Sequence, residues 1–296
     1  MGEVDGFTVI QLGILFALCC AVATNVALLC KHRGAVAAPA VELRRPLRAV
    51  AGLFRSRWWT IGFAIAFGAW VLHVAALSLA PLSLVETVIS GGLVLLAWLA
   101  ERWFGVRVGP REWLGLGLCA VGLALLGATA AGTSSDAGSG YSTPGMIAFE
   151  TGAVGVGALL LVSGTVGPRS RSGGPYLAIA AGLLLGVANV AIKGLTGTVP
   201  GDLLSILSPW TLVVLIAGVG AFFALARGLQ TGEAVPVIAL TSVAANCAAI
   251  AGGVLVFGDS LGSELVTIAA RCLAFAAVIA AVAVMPAPRR VAPAGA

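Results

Sequence analysis

Long apolar runs are the feature that most limits how this chain of 296 residues can fold. A run of about 18 or more apolar residues is long enough to cross a bilayer as a helix. Only 10% of the residues are charged, whereas roughly a quarter are charged in a soluble protein. The sequence therefore predicts an all-α polytopic membrane protein with nine transmembrane helices, at about 7–30, 59–80, 82–100, 112–131, 145–166, 175–198, 207–227, 233–257 and 263–286.

The distribution of basic residues predicts the orientation, because cytoplasmic loops of membrane proteins carry an excess of Lys and Arg. Alternate loops on one side hold 15 of the 17 basic residues, namely Lys31, Arg33, Arg44, Arg45, Arg48, Arg55, Arg57, Arg102, Arg107, Arg111, Arg169, Arg171, Arg227, Arg289 and Arg290. The opposite loops hold none. We expect a protein of the cytoplasmic (inner or plasma) membrane, with its N-terminus outside and its C-terminus in the cytoplasm.

A Gly/Ser-rich outer loop at 132–144 divides the chain near its middle. It separates an N-terminal half, 1–131, with four transmembrane helices from a C-terminal half, 145–296, with five. The N-terminal half includes the basic cytoplasmic loop 31–57. In that loop Leu47, Val50 and Phe54 recur at helical spacing, opposite Arg48 and Arg55. Two interpretations stay open: a basic connector, or a short helix lying among lipid head groups.

The spans also contain an internal repeat. Spans two to four are two apolar helices around a tight turn and a third helix behind a polar break, and spans seven to nine follow the same plan. Four identical pairs share an offset of 150 residues: Gly68 with Gly218, Ala76 with Ala226, Leu79 with Leu229, and Val85 with Val235. An odd number of crossings separates the two blocks, so they run in opposite directions. Inverted repeats are typical of secondary transporters, whose solute site lies between the halves.

Two segments resemble the drug/metabolite transporter superfamily. They are AALSLAPLSLVETVISGGLVLLAWLAERWFG at 75–105, an apolar hairpin that ends in a Glu-Arg pair, and EWLGLGLCAVGLALLG at 112–127, a Gly-rich helix. The opening LGILFALCCAVATNVALLCKHRGA at 12–35, the Trp-Trp pair before the second span and Lys193 in VAIKGL resemble the NIPA-like branch in particular.

The resemblance extends over roughly 10–130 well and 175–290 loosely. It implies an inverted-repeat helical bundle and, for the NIPA-like branch, nine spans with an outside N-terminus and magnesium transport. The chain departs from the common ten-helix form by lacking one early helix. It also lacks the NIPA-like Pro-Leu-Gly-Ala run, and has Leu84-Val85-Glu86-Thr87 in its place.

Charged groups at membrane depth cost several kcal/mol unless they are paired or hydrated, so each one is a functional candidate. The candidates for substrate binding, ion binding or coupling are Glu86, Glu150, Lys193, Arg271, His73, Asn189 and Asn246. Glu86 leads as the coupling carboxylate because it follows the Pro81 turn. Glu101 and Arg102, at the cytoplasmic end of a span, are expected to act as anchor and gate. The metal ligands, if any, stay unknown.

Glycines accompany several of these residues and predict close helix packing. Gly182 and Gly186 precede Lys193 in span six, while Gly152, Gly155 and Gly157 follow Glu150 in span five. Two interpretations of the charged residues stay open. They handle solute or protons directly, or they form buried pairs that orient helices without touching a solute.

The sequence contains no HExxH, no Walker-type phosphate loop and no Ser/His/Asp group in an aqueous loop, so we do not expect an enzyme. We expect no cofactor and no nucleic-acid partner. The expected partners are the lipid bilayer and a small solute or cation, and homodimer formation stays open. The main hypothesis is a gradient-coupled secondary transporter of a small organic solute. The alternatives are a NIPA-like Mg²⁺ transporter, and a non-transporting subunit or lipid-head-group handler in envelope assembly.

Overall fold

The computed structural model describes residues 2–41, 45–79, 82–130, 141–165, 173–196, 208–258 and 265–284. Every regular element in these ranges is an α-helix: α1 (Gly2–Ala37), α2 (Pro46–Arg55), α3 (Arg57–Leu79), α4 (Leu82–Phe104), α5 (Pro110–Ala130), α6 (Thr143–Thr165), α7 (Gly174–Thr196), α8 (Pro209–Thr231), α9 (Ala234–Val256) and α10 (Leu265–Val284). Each of the predicted apolar runs coincides with one of the long helices, and α2 is an additional short helix.

Several of the long helices meet the requirements for crossing a membrane. Within the described residues, five are long and apolar enough: Gln11–Ala37 in α1, Thr143–Thr165, Gly174–Ile192, Pro209–Thr231 and Ala234–Val256. The protein is therefore a polytopic helical membrane protein, which confirms the coarser part of the fold prediction. Nine crossings, the inverted repeat and the orientation of the termini stay predictions.

The segment that the sequence left open between connector and helix forms the helix α2. Pro46 stands in its first turn, where a missing backbone N–H costs nothing because the N–H there has no intrahelical acceptor. The helix ends where Ser56 N donates to Leu53 O at 3.0 Å. Ala49 and Leu53 face the protein and are buried.

The helices group into two units. The first contains α1–α5 and α10, and the second contains α6–α9. In the first unit α1 packs against α3 and α4, and α5 packs against α4 and α10. In the second unit α7 packs against α6, α8 and α9. The last helix, α10, packs against α5 and therefore groups with the first unit. The sequence analysis placed it in the C-terminal half, because α5 is distant from it along the chain.

The two units share an internal arrangement. The hairpin helices α3 and α4 and the hairpin helices α8 and α9 each contain 23 residues. Their bounds are related by an offset of 152 residues, against 150 for the matched sequence pairs. Such a difference is within the usual variation of assigned helix ends. In each unit one helix, α1 or α7, packs against both members of the hairpin that follows it. This similarity adds a preceding helix to the first two helices of the predicted repeat, whereas the third helices differ, since α5 packs against α4 and α10 packs against α5.

Close packing in the first unit places the C-terminal end of α1 beside the start of α3. A Cβ on Gly34 would lie 2.8 Å from Trp59 Cα, and one on Gly62 would lie 2.7 Å from Ala27 O. Asn25 Nδ2 also donates to Gly92 O at 2.6 Å, which ties α1 to α4. An amide buried in a helix bundle is thereby satisfied by a backbone carbonyl of a neighbouring helix.

Candidate functional site

Glu150 is the most distinctive polar residue of the second unit. It lies on α6 in a buried stripe with Met146, Gly157 and Gly164, and it is only 4% exposed. Neither carboxylate oxygen has a hydrogen-bond partner among the described residues. Buried polar atoms are nearly always paired, so an unpaired carboxyl group at this depth requires an explanation.

The register between α6 and α7 shows what lies opposite Glu150. A Cβ on Gly164 would meet Leu177 Cγ at 2.8 Å, one on Gly157 would meet Leu184 Cδ2 at 3.2 Å, and one on Gly194 would meet Met146 Cε at 3.1 Å. The two helices are therefore antiparallel. By interpolation Glu150 is level with Ala191, which is fully buried.

The same register places Lys193 close to the level of Glu150. Lys193 is two residues beyond Ala191 on α7, which is about 3 Å along a helix axis. The side chain of Lys193 lies outside the described part of the structure, and so does that of Glu86, whose backbone belongs to α4. Of the predicted site residues in the second unit, Glu150, Lys193 and Asn189 are thus brought to nearly the same level, since Asn189 is two residues before Ala191.

The described residues that pack beside Glu150 are apolar. Phe149, the preceding residue, packs against two clusters, one with Val187 and Ala217 and the other with Val190 and Val256. No charge or ordered dipole is in hydrogen-bond reach of the carboxyl group in the described residues. An ionised carboxylate there is costly unless a proton or a cation neutralises it. The position is suited to a group that exchanges such a charge.

The glycines after Glu150 do not all serve packing, in contrast to the sequence expectation. A Cβ on Gly152 or Gly155 would have no neighbour within 4 Å, so of the three predicted glycines only Gly157 contacts another helix. The expectation for span six is confirmed. A Cβ on Gly182 would lie 2.6 Å from Ala244 Cβ, and one on Gly186 would lie 3.0 Å from Ala245 O. These two glycines allow α7 and α9 to approach closely.

The two predicted asparagines are exposed on the second unit. Asn189 lies on α7 and Asn246 on α9. Asn246 Nδ2 donates to Ser242 O of its own helix at 2.8 Å. Neither residue approaches Glu150 through a hydrogen bond in the described part of the chain.

Sequence reasoning missed an aromatic cluster at one end of α6, α8 and α9. Trp210 Nε1 donates to Tyr141 Oη at 2.8 Å, and the rings of Tyr141 and Phe257 lie 6.4 Å apart. Ser142 N also donates to Val256 O at 3.0 Å. Tyr141 precedes Glu150 by nine residues. A signal was available, because Trp and Tyr are enriched at the two ends of transmembrane helices.

Arg271 in the first unit has a structural partner. It is 8% exposed, and its Nη2 donates to Thr129 O at 2.6 Å. Thr129 is in the last turn of α5, where backbone carbonyls lack intrahelical donors and the helix dipole favours a cation. This contact joins α10 to the end of α5, and a role of Arg271 in solute binding stays a prediction. His73 lies half-buried on α3 in the same unit.

Replacing Arg271 with leucine is expected to destabilise the protein by about 1.5–3 kcal/mol, the usual value of a hydrogen bond to a charged group. The measurement is thermal unfolding of the purified protein. Cys272→Leu is the matched control, because Cys272 is exposed next to Arg271 and its replacement should change little. Arg271→Lys should keep part of the stability and all of the transport. Normal melting of Arg271→Leu with lost transport would instead place Arg271 in the solute site.

Glu101 and Arg102 are exposed at the end of α4. Glu101 Oε1 accepts a hydrogen bond from Val108 N at 3.2 Å, across the turn that contains Gly105 with φ of 65°. Glu112 then accepts from Gly109 N at 2.7 Å, at the start of α5. The two carboxylates hold the α4–α5 connection. A role of Glu101 and Arg102 as anchor and gate stays a prediction.

The described residues contain no group of three or more His, Cys, Asp and Glu side chains placed to hold a metal ion.

Comparison with known proteins gives one informative similarity. The chain is 24% identical over 263 residues to a protein of Arabidopsis thaliana named probable magnesium transporter NIPA9, a match that covers 84% of this chain and 74% of that protein. No protein-family model and no solved structure matches. The chain is thus distantly similar to a NIPA-like transporter.

Proposed function

We propose that this chain is a secondary transporter that moves a small solute across a membrane by alternating access. In this proposal Glu150 binds the transported or the coupling cation. The observation that carries it is a carboxyl group buried in a membrane-spanning helix without a hydrogen-bond partner among the described residues. Intramembrane ionisable groups of this kind mark ion and substrate pathways.

The internal arrangement supports a carrier. Two units with matching hairpins and a preceding helix, α1 or α7, fit a repeat architecture in which one half moves against the other. If the repeat is inverted, as the loop charges predict, the same hairpins alternate between the two sides. No cofactor is needed for such a cycle, because an ion gradient supplies the free energy.

The substrate has two candidates. The sequence favoured a small organic solute, because acidic and basic groups occur together at membrane depth. The similarity to a protein named probable magnesium transporter favours Mg²⁺. Mg²⁺ usually keeps several waters and binds through one or two carboxylates. Glu150 would supply one such carboxylate to a largely hydrated ion.

Reconstituted protein distinguishes these candidates. We expect purified protein in liposomes to take up Mg²⁺ or an organic cation when a proton or sodium gradient is imposed, and to release it when the gradient is reversed. A trapped Mg²⁺-sensitive dye reports the first substrate, and mass spectrometry of the trapped contents reports the second. Protein-free liposomes are the control. Absence of uptake for Mg²⁺ and for a broad metabolite panel, with both protein orientations present, would contradict a transport function.

A further inference from the structure

The helix α2 carries three distinct faces around its axis. Ala49 and Leu53 are buried against the protein, and a Cβ on Gly52 would lie 3.5 Å from Pro39 Cδ. Arg48 and Arg55 lie on a second face and are exposed. The third face is apolar but uncovered. It consists of Leu47, 85% exposed, Phe54, 39% exposed, and the half-buried Val50.

The apolar face of α2 continues the membrane-facing surface of α3. The rings of Phe54 and Phe63 meet edge to face at 5.4 Å. Phe63, Phe67 and Trp70 then follow along α3 with 47%, 64% and 60% of their surface exposed. In a helical membrane protein, large exposed apolar side chains face acyl chains. The continuity places the apolar face of α2 at the border of the hydrocarbon region.

The depth of α2 is fixed by its neighbours. It connects the end of α1, a membrane-spanning helix, to the start of α3, and these two ends pack against each other through Gly34 and Trp59. Two further cations near this level stack on aromatic rings: Arg33 lies 4.3 Å from the Trp58 ring, and Lys31 lies 5.4 Å from the Phe63 ring. The helix therefore lies at the membrane–water interface.

A surface depression of about 380 Å³ opens at the start of α2, lined by Arg45, Pro46, Leu47 and Arg48. Two guanidinium groups beside an exposed leucine match a phospholipid, in which a phosphate adjoins acyl chains. Guanidinium groups bind phosphate oxygens through paired hydrogen bonds. A basic amphipathic helix in the interface is also attracted to anionic lipids.

We propose that α2 is an interfacial helix that binds an anionic phospholipid, with Arg45 and Arg48 on the phosphate and Leu47 among the acyl chains. The site is separate from Glu150 and does not depend on the transported substrate. Binding holds the α1–α3 connection at the membrane surface.

The test uses purified full-length protein in zwitterionic detergent, to which short-chain phosphatidylglycerol or phosphatidylcholine is added. Lipid that binds the folded state raises its thermal unfolding midpoint. We expect phosphatidylglycerol to raise the midpoint at lower concentration than phosphatidylcholine, and added salt to weaken the effect. Arg45→Gln with Arg48→Gln should weaken the affinity roughly 5-fold per arginine, about 25-fold together.

Three comparisons keep the result interpretable. Arg107→Gln with Arg111→Gln removes two exposed charges, one from the α4–α5 connection and one from the first turn of α5, and should leave the lipid response unchanged. Arg45→Lys with Arg48→Lys keeps the charge and should keep most of the response. Leu47→Ser should weaken the response to phosphatidylglycerol, which has acyl chains, and should not change any response to glycerol phosphate, which has none. Three results would each overturn the proposal. They are equal midpoint shifts with phosphatidylglycerol and phosphatidylcholine, an equal loss of the shift in the Arg107 and Arg111 control variant, and an equal shift with glycerol phosphate, which lacks acyl chains.

Discussion

Replacing Glu150 with glutamine is expected to reduce uptake to the level of protein-free liposomes while the protein stays folded. Glutamine keeps the size of the side chain, but it can neither carry a negative charge nor exchange a proton. A carrier that uses this carboxyl group to bind a cation in one state and release it in the other loses that step. Uptake by the wild type should depend on pH, because protons compete for the same oxygens, and any residual uptake by the variant should not.

The stability of the same variant separates a functional carboxyl group from a structural one. Glu150 has no hydrogen-bond partner among the described residues, so its neutralisation removes no such bond, and the thermal midpoint should be unchanged or higher. Glu112→Gln is the matched control, because Glu112 is also buried but accepts a hydrogen bond from Gly109 N. In that variant the amide oxygen can still accept the bond, so only the negative charge at the start of α5 is lost, an effect of about 0.3–1 kcal/mol, and the variant should still transport. Normal, pH-dependent uptake by Glu150→Gln would remove Glu150 from the mechanism.

Replacing Gly182 or Gly186 with alanine should destabilise the protein, although alanine normally stabilises a helix relative to glycine by about 0.5–1 kcal/mol. The added methyl group at Gly182 would lie 2.6 Å from Ala244 Cβ and 2.9 Å from Ala245 N. Both neighbours belong to α9, and a backbone atom cannot move aside as a flexible side chain can. Overpacking of this kind costs about 1–3 kcal/mol per site, and the double variant should lose the α7–α9 contact.

The control for this prediction lies on α6. Gly152 and Gly155 have nothing within 4 Å of an added Cβ, so Gly152→Ala and Gly155→Ala should raise the thermal midpoint through helix propensity alone. The decisive result is that the thermal midpoint falls for the Gly182 and Gly186 variants and rises for the Gly152 and Gly155 variants. Equal stabilisation by all four substitutions would show that α7 and α9 are not in close contact in the membrane.

The positions of the long helices could be predicted from the sequence. A membrane-spanning segment must satisfy its backbone hydrogen bonds internally and expose apolar side chains to lipid. Both requirements are local, so each apolar run coincides with a helix. The predicted starts of the fourth and seventh spans, 112 and 207, lie within two residues of the observed ones, because α5 begins at Pro110 and α8 at Pro209, positions at which proline is favoured.

The helical state of α2 was only one of two readings of the sequence. Its pattern of Leu47, Val50 and Phe54 opposite two arginines is compatible with a helix, but ten residues are too few for a stable isolated helix. Ala49 and Leu53 pack against the rest of the protein, and this packing stabilises the helical state. The sequence indicated the amphipathic pattern, and the tertiary contact selected the helix.

The hydrogen-bond partners of the buried polar residues were decided by tertiary structure. Glu150, Arg271 and Glu112 are all acidic or basic groups near or within apolar runs, and the sequence alone does not separate them. Arg271 lies against the carbonyl end of α5, Glu112 accepts from the backbone at the start of that helix, and Glu150 has no such partner in the described residues. Hydropathy is a property of neighbouring residues in the chain, whereas a hydrogen-bond partner depends on which helices pack together. The sequence therefore determined where the chain forms its long helices, and only the packing decided which buried charged groups have hydrogen-bond partners in the described part of the chain.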